Sequence, residues 1–348
     1  MRLALNLGYL VGGDDPQDQL RLTQHAESLG FDSVWAAEAY GSDSPTVLAW
    51  LAGQTSTIGV GSAVMQIPGR SPAMAAMTAA SLERLSGGRF RLGLGVSGPQ
   101  VSEGWHGVGF ATPLGRTREY LEIVDLALRR ERVEYQGRHF TLPLPDGPGK
   151  ALKLSIKPSG PIPRYLAAIG PKNLQLCGEL TDGWLGLFYT PDFASEQLGE
   201  LATGRRKSGR TLDGFDVSAT FPLVVGDDLE ACARPVRPYA ALYVGGMGSR
   251  QQNFYNALAV RMGYEAEAAR IQDLYLDGRQ RDAMAAVPEQ FIDDTSLLGD
   301  VARLAERLQA LAGSGLSTCT VSPYGPVEAK LAALTAIAEA LDRSGVGD

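Results

Sequence analysis

The chain has 348 residues, 44% of them hydrophobic and 20% charged, with 32 Lys and Arg against 39 Asp and Glu. That is globular usage with enough apolar surface for a substantial core, which excludes a disordered chain, and the acidic balance without basic runs excludes a nucleic-acid footprint. Cys177, Cys232 and Cys319 stand far apart with no C-x-x-C pair, and three histidines are too scattered for a cluster, so neither a disulfide framework nor a metal is expected.

The N-terminus runs straight into a strand-like "RLALNLGYL", without a leader pattern, and no apolar run approaches membrane-spanning length. The expectation is an unexported, cytoplasmic protein with no membrane contact and small molecules as partners.

From there a short apolar run, a polar or Gly-rich turn and a segment of helical spacing repeat from end to end. "LALNLGYL" (3–10) reads as the first strand. Asp15 caps the helix that follows, Pro16 starts it, Leu22, Ala26 and Leu29 face inward and Gly30 ends it. "SVWAAE" (33–38) is the second strand, "IGVGSAVM" (58–65) the third and "RFRLGLGVS" (89–97) the fourth. The helix between the third and fourth opens on Ser71-Pro72 and closes on Gly87-Gly88, and its Met74 and Met77, at helical spacing, read as core. Beyond the Gly-rich loop that follows the fourth strand, Tyr120, Leu121, Val124, Ala127 and Leu128 form one face of another helix.

Residues 131–162 break the rhythm with a hairpin around Gln136-Gly137 and a Pro/Gly-rich excursion, which reads as an insertion. "RYLAAIG" (164–170), "GWLGLFY" (183–189), "DVSATFPLVVG" (216–226) and "STCTVSPYG" (317–325) supply strands five to eight. The helical stretch between the last two is too long for one crossover and is expected to hold a second insertion at roughly 245–295. One α/β domain over 1–348 is therefore predicted: a closed (β/α)8 TIM barrel with insertions after strands four and seven, with an open doubly wound sheet as the alternative. In such a barrel function lies at the carboxyl ends of the strands, near Glu38, Val64, Ser97, Gly170, Tyr189 and Tyr324.

Familiar catalytic signatures are absent, with no P-loop, H-E-x-x-H or G-x-S-x-G. Gly93, Gly95 and Gly98 match the spacing G-x-G-x-x-G, but the first two fall within a strand rather than in the turn that opens a helix, which is the wrong context for a dinucleotide site. Two readings remain for Gly93 and Gly95: a bare strand end approached by a flat ring, or tight barrel packing. Glu38 either holds a polar ligand edge or meets a neighbouring backbone amide. In "AIGPKN" (168–173), Gly170, the open first turn beginning at Pro171 and the charge of Lys172 read as a phosphate site or an ordinary turn. His106 suits proton transfer or a structural hydrogen bond, and Glu103 is equally double-edged. His25 and His139 fall on an outer helix and in the inserted hairpin.

The stretches "GFDSVWAAE", "GSAVMQIPGRSPAMAAMTAASLERLSGGRFRLGLGVSGPQVSEGWHG" and "AAIGPKNLQLCGELTDGWL" together carry a resemblance. The chain resembles the luciferase-like monooxygenase superfamily, most closely its branch of oxidoreductases that use the deazaflavin coenzyme F420. The resemblance implies a barrel with an insertion, a homodimer, and an isoalloxazine-like ring at the mouth. It also implies a non-prolyl cis peptide at Ala63-Val64 forming a bulge behind the ring, continued by Met65 and Gln66, with Glu38 near the ring. Val96, Ser97 and Gly98 would flank the ring, and Gly170, Pro171 and Lys172 would take the cofactor's phosphate.

Two departures stand out. Where the branch's sugar-phosphate dehydrogenases carry His and a catalytic Glu, this chain has Ala39 and Pro99, which argues against sugar-phosphate oxidation. The expectation is hydride transfer between F420 and an organic substrate, with His106 or Glu103 exchanging the accompanying proton. An FMN-dependent monooxygenase of the same superfamily and a non-catalytic flavin-binding barrel are the alternatives.

Overall fold

Strand β1 (Arg2–Gly8) lies parallel to β2 (Ser33–Ala36) on one side and to the last strand, β8 (Thr318–Pro323), on the other. Between them run β3 (Gly59–Ser62), β4 (Phe90–Gly95), β5 (Arg164–Ala167), β6 (Gly183–Leu187) and β7 (Asp216–Val225). The computed structural model describes residues 1–348, and in it each strand pairs in parallel with the next until the ring closes. Closure leaves no free edge among the eight strands, so the open-sheet alternative is set aside.

The strands read as apolar runs because both faces are covered: every residue of β2 and of β3 is buried. The surrounding helices are α1 (Pro16–Ser28), α2 (Ser44–Ala52), α3 (Pro72–Leu85), α4 (Pro113–Leu128), α5 (Pro171–Leu180), α6 (Pro191–Lys207), α7 (Val301–Gly313) and α8 (Val327–Ser344). Proline sits in the first turn of each from α1 to α6, where its missing N–H costs nothing. Asp15 and Ser71 cap α1 and α3 as their positions predict, accepting from the amides of Gln17 and Met74.

The main core fills the space between barrel and helices, with Val34, Leu48, Leu51, Leu94 and Leu166 fully covered. Met74 and Met77 do not belong to it, contrary to their spacing: they are 51% and 50% exposed. Ala75, Ala76, Ala79 and Leu82 form the buried face of α3 instead, because alanines let the helix pack closely on the barrel while the longer side chains turn outward.

Inside the barrel, Trp35 packs edge-on against Tyr165 at 5.1 Å, beside Ala4. Beneath them is a polar floor. The Arg91 guanidinium grips Asp32, Arg2 Nη2 lies 2.8 Å from Asp216 Oδ1, and the Tyr165 and Thr318 hydroxyls each donate to Asp216 at 2.8 Å.

Two insertions interrupt the rhythm, the second beginning at Leu229, earlier than the expected 245. After α4 a short hairpin pairs Tyr135–Gln136 with Thr141–Leu142, and Glu119 receives the amides of Arg138, His139 and Phe140 in its turn. After β7 a block of short helices runs from Leu229 to Asp294, including a π-helical turn at Leu242–Gly246, before Leu297–Gly299 pairs with the end of β7. This block has its own apolar centre around Val236, Val244, Leu258, Ile271 and Phe291, continuous with Phe188 after β6. The three cysteines are free and buried, and no helix is long and apolar enough to cross a membrane.

Candidate active site

The ends of β2, β3 and β4 are tied together by a few residues of the chain's first third. After Ser62 the Ala63–Val64 peptide is cis, and the chain swings out before Met65–Gln66 resumes pairing, now with Leu94 and Gly95. The third strand is thus two short pieces around a bulge rather than the continuous run of 58–65. The bulge explains the glycines of β4. A Cβ on Gly93 would overlap the Ser62 carbonyl oxygen, and one on Gly95 would stand 2.5 Å from Val64 Cγ2. Of the two readings of these glycines, close packing is the one observed, and what they accommodate is the neighbouring strand's detour. Ser62 completes the join, its Oγ donating to Gly93 O at 2.8 Å and accepting from Gly93 N at 3.0 Å.

Gln66 is the junction. Its amide N–H donates to Glu38 Oε2 at 2.9 Å, its Nε2 donates to Ala39 O at 2.7 Å, and its Oε1 accepts from Ser97 Oγ at 2.9 Å. Ser97 takes a left-handed backbone, φ 62°, which turns its hydroxyl back toward Gln66. Val96 and Gly98 flank it, and a Cβ on Gly98 would meet only the tip of Gln100, 3.6 Å away.

Glu38 meets a neighbouring amide, and more. Arg70 Nη1 and Nη2 donate to its Oε2 and Oε1, each at 2.8 Å, and Nη2 also donates to Asp43 Oδ1 at 2.9 Å. The Glu38 and Arg70 side chains are only 10% and 13% exposed, so this is a bidentate pair largely shut away from water. Burial works against the Arg70 charge, but Glu38 and then Asp43 more than offset it and hold its pKa above the ordinary value. Burial likewise opposes ionisation of Asp43, yet the Thr46 hydroxyl and amide and the Arg70 charge leave it below the usual carboxylate range. Sequence reasoning missed Arg70 and Asp43. Nothing in the run "IPGRSP" distinguishes this arginine from a solvated one.

Across the mouth, Gly170 caps α5 without a side-chain bond, and Pro171 and Lys172 are exposed. The amides of Asn173 and Leu174 already bond to Gly170 O, at 3.0 and 2.9 Å, which leaves the Lys172 amide facing outward. Asn173 Oδ1 is buried without a partner, and Arg261 from the second insertion donates to Ile169 O at 2.9 Å just before the turn. An open helix start with a lysine at its tip and an arginine beside its strand suits a phosphate group.

The stretch after Gly98 forms a short helix, Pro99–Gly104, where a loop was expected. Glu103 lies exposed and accepts from the Phe110 amide at 2.8 Å, which folds the segment onto itself. His106 faces Gly69, where a Cβ would stand 3.4 Å from its Cε1, and its Nε2 is buried without a partner. Neither side chain joins the Gln66 network. His25 bonds to Thr335 and His139 lies 3.4 Å from the Thr112 hydroxyl, both remote from it. No three His, Cys, Asp or Glu side chains gather as metal ligands.

A sequence profile described as luciferase-like monooxygenase matches residues 3–318. The chain belongs to that family. The luciferase-like chain is 41% identical over 330 residues to a Mycobacterium tuberculosis protein provisionally named a coenzyme F420-dependent oxidoreductase, covering 92% of this chain and 95% of the relative. It is 30% identical over 307 residues to the 5,10-methylenetetrahydromethanopterin reductase of Archaeoglobus fulgidus, covering 88% and 89%. Among solved structures, the coenzyme F420-dependent tetrahydromethanopterin reductase of Methanopyrus kandleri superposes with a TM-score of 0.80 at 24% identity, over 96% of this chain and 97% of that one, a likeness of fold. The family places the luciferase-like protein among oxidoreductases, on the branch named for F420, as the motifs of β2 to β5 imply.

Proposed function

We propose that the protein is an oxidoreductase that holds coenzyme F420 across the barrel mouth and passes a hydride between it and an organic substrate. The observation that carries this reading is the bulge Ala63–Gln66, braced by Gln66 to Glu38, Ala39 and Ser97 beside the open space at Gly98.

In this reading Ala63, Val64, Met65 and Gln66 back the ring, Val96, Ser97 and Gly98 border its edge, and Gly170, Pro171 and Lys172 receive the phosphate. When bound, the deazaflavin supplies the carbon that gives or takes the hydride, so the protein's share is position and electrostatics. The Arg70–Glu38 pair holds the Gln66 amide in place, and Gln66 in turn aims the Ser97 hydroxyl. Lys172, through its side chain and its backbone amide, offers charge and a donor without rearrangement. Ala39 and Pro99 occupy the positions where sugar-phosphate dehydrogenases of this branch carry His and Glu, so the substrate belongs to another class. No proton carrier is assigned, because Glu103 is committed to the Phe110 amide and His106 packs on Gly69. The homodimer and the cytoplasmic setting expected from the sequence complete the proposal.

Fluorescence titration of F420 and FMN on one preparation tests the reading. F420 is expected to bind more tightly, and Lys172→Ala to weaken it. Tighter FMN binding with oxygen consumption would replace it by the monooxygenase alternative, and binding with no turnover across a panel of acceptors by the non-catalytic barrel.

A further inference from the structure

The chain contains twelve tyrosines, and their hydroxyls divide cleanly. Those of Tyr120, Tyr135, Tyr165, Tyr189 and Tyr264 bond to Arg70 O, Glu122, Asp216, Ser314 and Asp294. The others have no partner in the chain, and they are not scattered. Tyr9, Tyr40 and Tyr324 follow the carboxyl ends of β1, β2 and β8. Facing them from the second insertion are Tyr239, Tyr243, Tyr255 and Tyr275.

The rings fall into two touching groups. Tyr239 and Tyr255 stand 4.5 and 4.7 Å from Tyr243, and Tyr9 stands 6.4 Å from Tyr40. Burial and then the nearby Tyr9 and Tyr40 push the Tyr243 pKa up to about 12. Tyr275 is likewise raised by burial and by Tyr40, and Tyr324 by burial and by Tyr243. Tyr243 rides on the π-helical turn Leu242–Gly246, an irregularity common at functional sites. Side chains at Gly245 or Gly246 would run into Tyr275, so the glycine pair lets that ring lie against the turn.

The rings of Tyr239, Tyr243 and Tyr255 pack on Phe188 and the second insertion's core, while none of the seven hydroxyls is bonded within the chain or shut away as a buried unpartnered atom, so all seven stay open to a partner at the mouth. The ionisable groups acting on Tyr9, Tyr239, Tyr243, Tyr255, Tyr275 and Tyr324 are other tyrosines, with no Asp, Glu, Lys or Arg among them. Such a chamber offers aromatic faces and neutral hydroxyl donors, and no counter-charge.

We infer that this tyrosine chamber is the substrate site and that it takes a flat, uncharged, conjugated molecule bearing carbonyl oxygens. The inference rests on the oxidoreductase reading in placing the substrate over the barrel mouth. Ring faces sandwich the apolar body, the phenols donate to its oxygens, and carboxylated or phosphorylated compounds are disfavoured because nothing in the chamber balances their charge.

The test is calorimetric titration of the full chain with chromone, chromone-2-carboxylate and benzyltrimethylammonium, for wild type, Tyr243→Phe, Tyr255→Phe and, as a control outside the chamber, Tyr135→Phe. Phenylalanine keeps the rings, and thermal melting checks that each variant folds. Chromone is expected to bind, each chamber variant to weaken it about fivefold, and Tyr135→Phe to leave it unchanged. The carboxylate is expected to bind at least about tenfold more weakly than chromone. Chamber variants that bind chromone like wild type, or a carboxylate or ammonium that binds as tightly as chromone, would overturn the inference. F420 titration of the same samples separates the two readings: lost F420 binding with intact chromone binding sinks only the cofactor proposal, and the reverse sinks only this one.

Discussion

Arg70 and Glu38 are 32 residues apart in sequence and meet through two parallel hydrogen bonds of 2.8 Å each, at the point where β2 and β3 end. Through Glu38 the pair holds the Gln66 amide, and through Gln66 it reaches Ser97 on the far side of the bulge.

Breaking that pair leaves a carboxylate that is 10% exposed with no cation beside it. Arg70→Met is therefore expected to lower stability by about 3 kcal/mol, and Arg70→Lys to recover only part of it, because an ammonium cannot reproduce the fork. Denaturant melts of the two variants measure this. An Arg70→Met midpoint equal to wild type would show that the pair braces nothing.

The barrel floor predicts a pH dependence. Burial pushes the Asp32 carboxyl up, but Arg91 and then Arg2 outweigh it and hold its pKa below the usual range. A carboxyl with a depressed folded pKa contributes stability that is complete above its unfolded value, near 3.9, and that is lost as pH falls through the folded value. Urea midpoints of wild type and Asp32→Asn should thus differ most near neutrality and converge below about pH 4. A gap that stays constant from pH 7 to pH 3 would remove the ion pair from the account.

Gly93 within β4 and Gly98 beyond its end should separate by role. Gly93→Ala forces a methyl into the Ser62 carbonyl and is expected to cost at least about 2 kcal/mol of stability. Gly98→Ala has open space and should fold normally while weakening F420 binding. Paired melts and titrations decide the matter. A Gly98→Ala protein that binds F420 like wild type would move the ring away from this strand end.

Glu103 and His106 were the sequence's candidates for proton transfer. A general acid or base contributes about 10²- to 10⁴-fold to turnover. With Glu103 bonded to the Phe110 amide and His106 turned to Gly69, Glu103→Gln and His106→Asn are expected to leave kcat within about twofold. A hundredfold loss in either variant, once a substrate is in hand, would restore that residue to the chemistry.

What the sequence determined by itself is whatever neighbours in the chain can encode. Apolar runs placed the eight barrel strands, Asp15 and Ser71 announced their helices, and the hairpin around Gln136-Gly137 showed where the rhythm breaks, since each depends on residues a few positions apart. The bulge at Ala63-Val64 was implied by the family resemblance alone, since the local pattern read as one continuous strand over 58–65, and the peptide there is cis. Only the closed ring decided which distant side chains meet. Met74 and Met77 had the spacing of core residues, yet the alanines beside them took the inner face. Gly93 and Gly95 could be assigned to packing only once Ser62 and Val64 stood opposite them. Arg70 gave no local sign of its partner, and the seven tyrosines, spread from position 9 to position 324, share no periodicity at all. Their convergence follows from strand closure and from the fold of the second insertion, which bring together segments that local propensity treats one at a time.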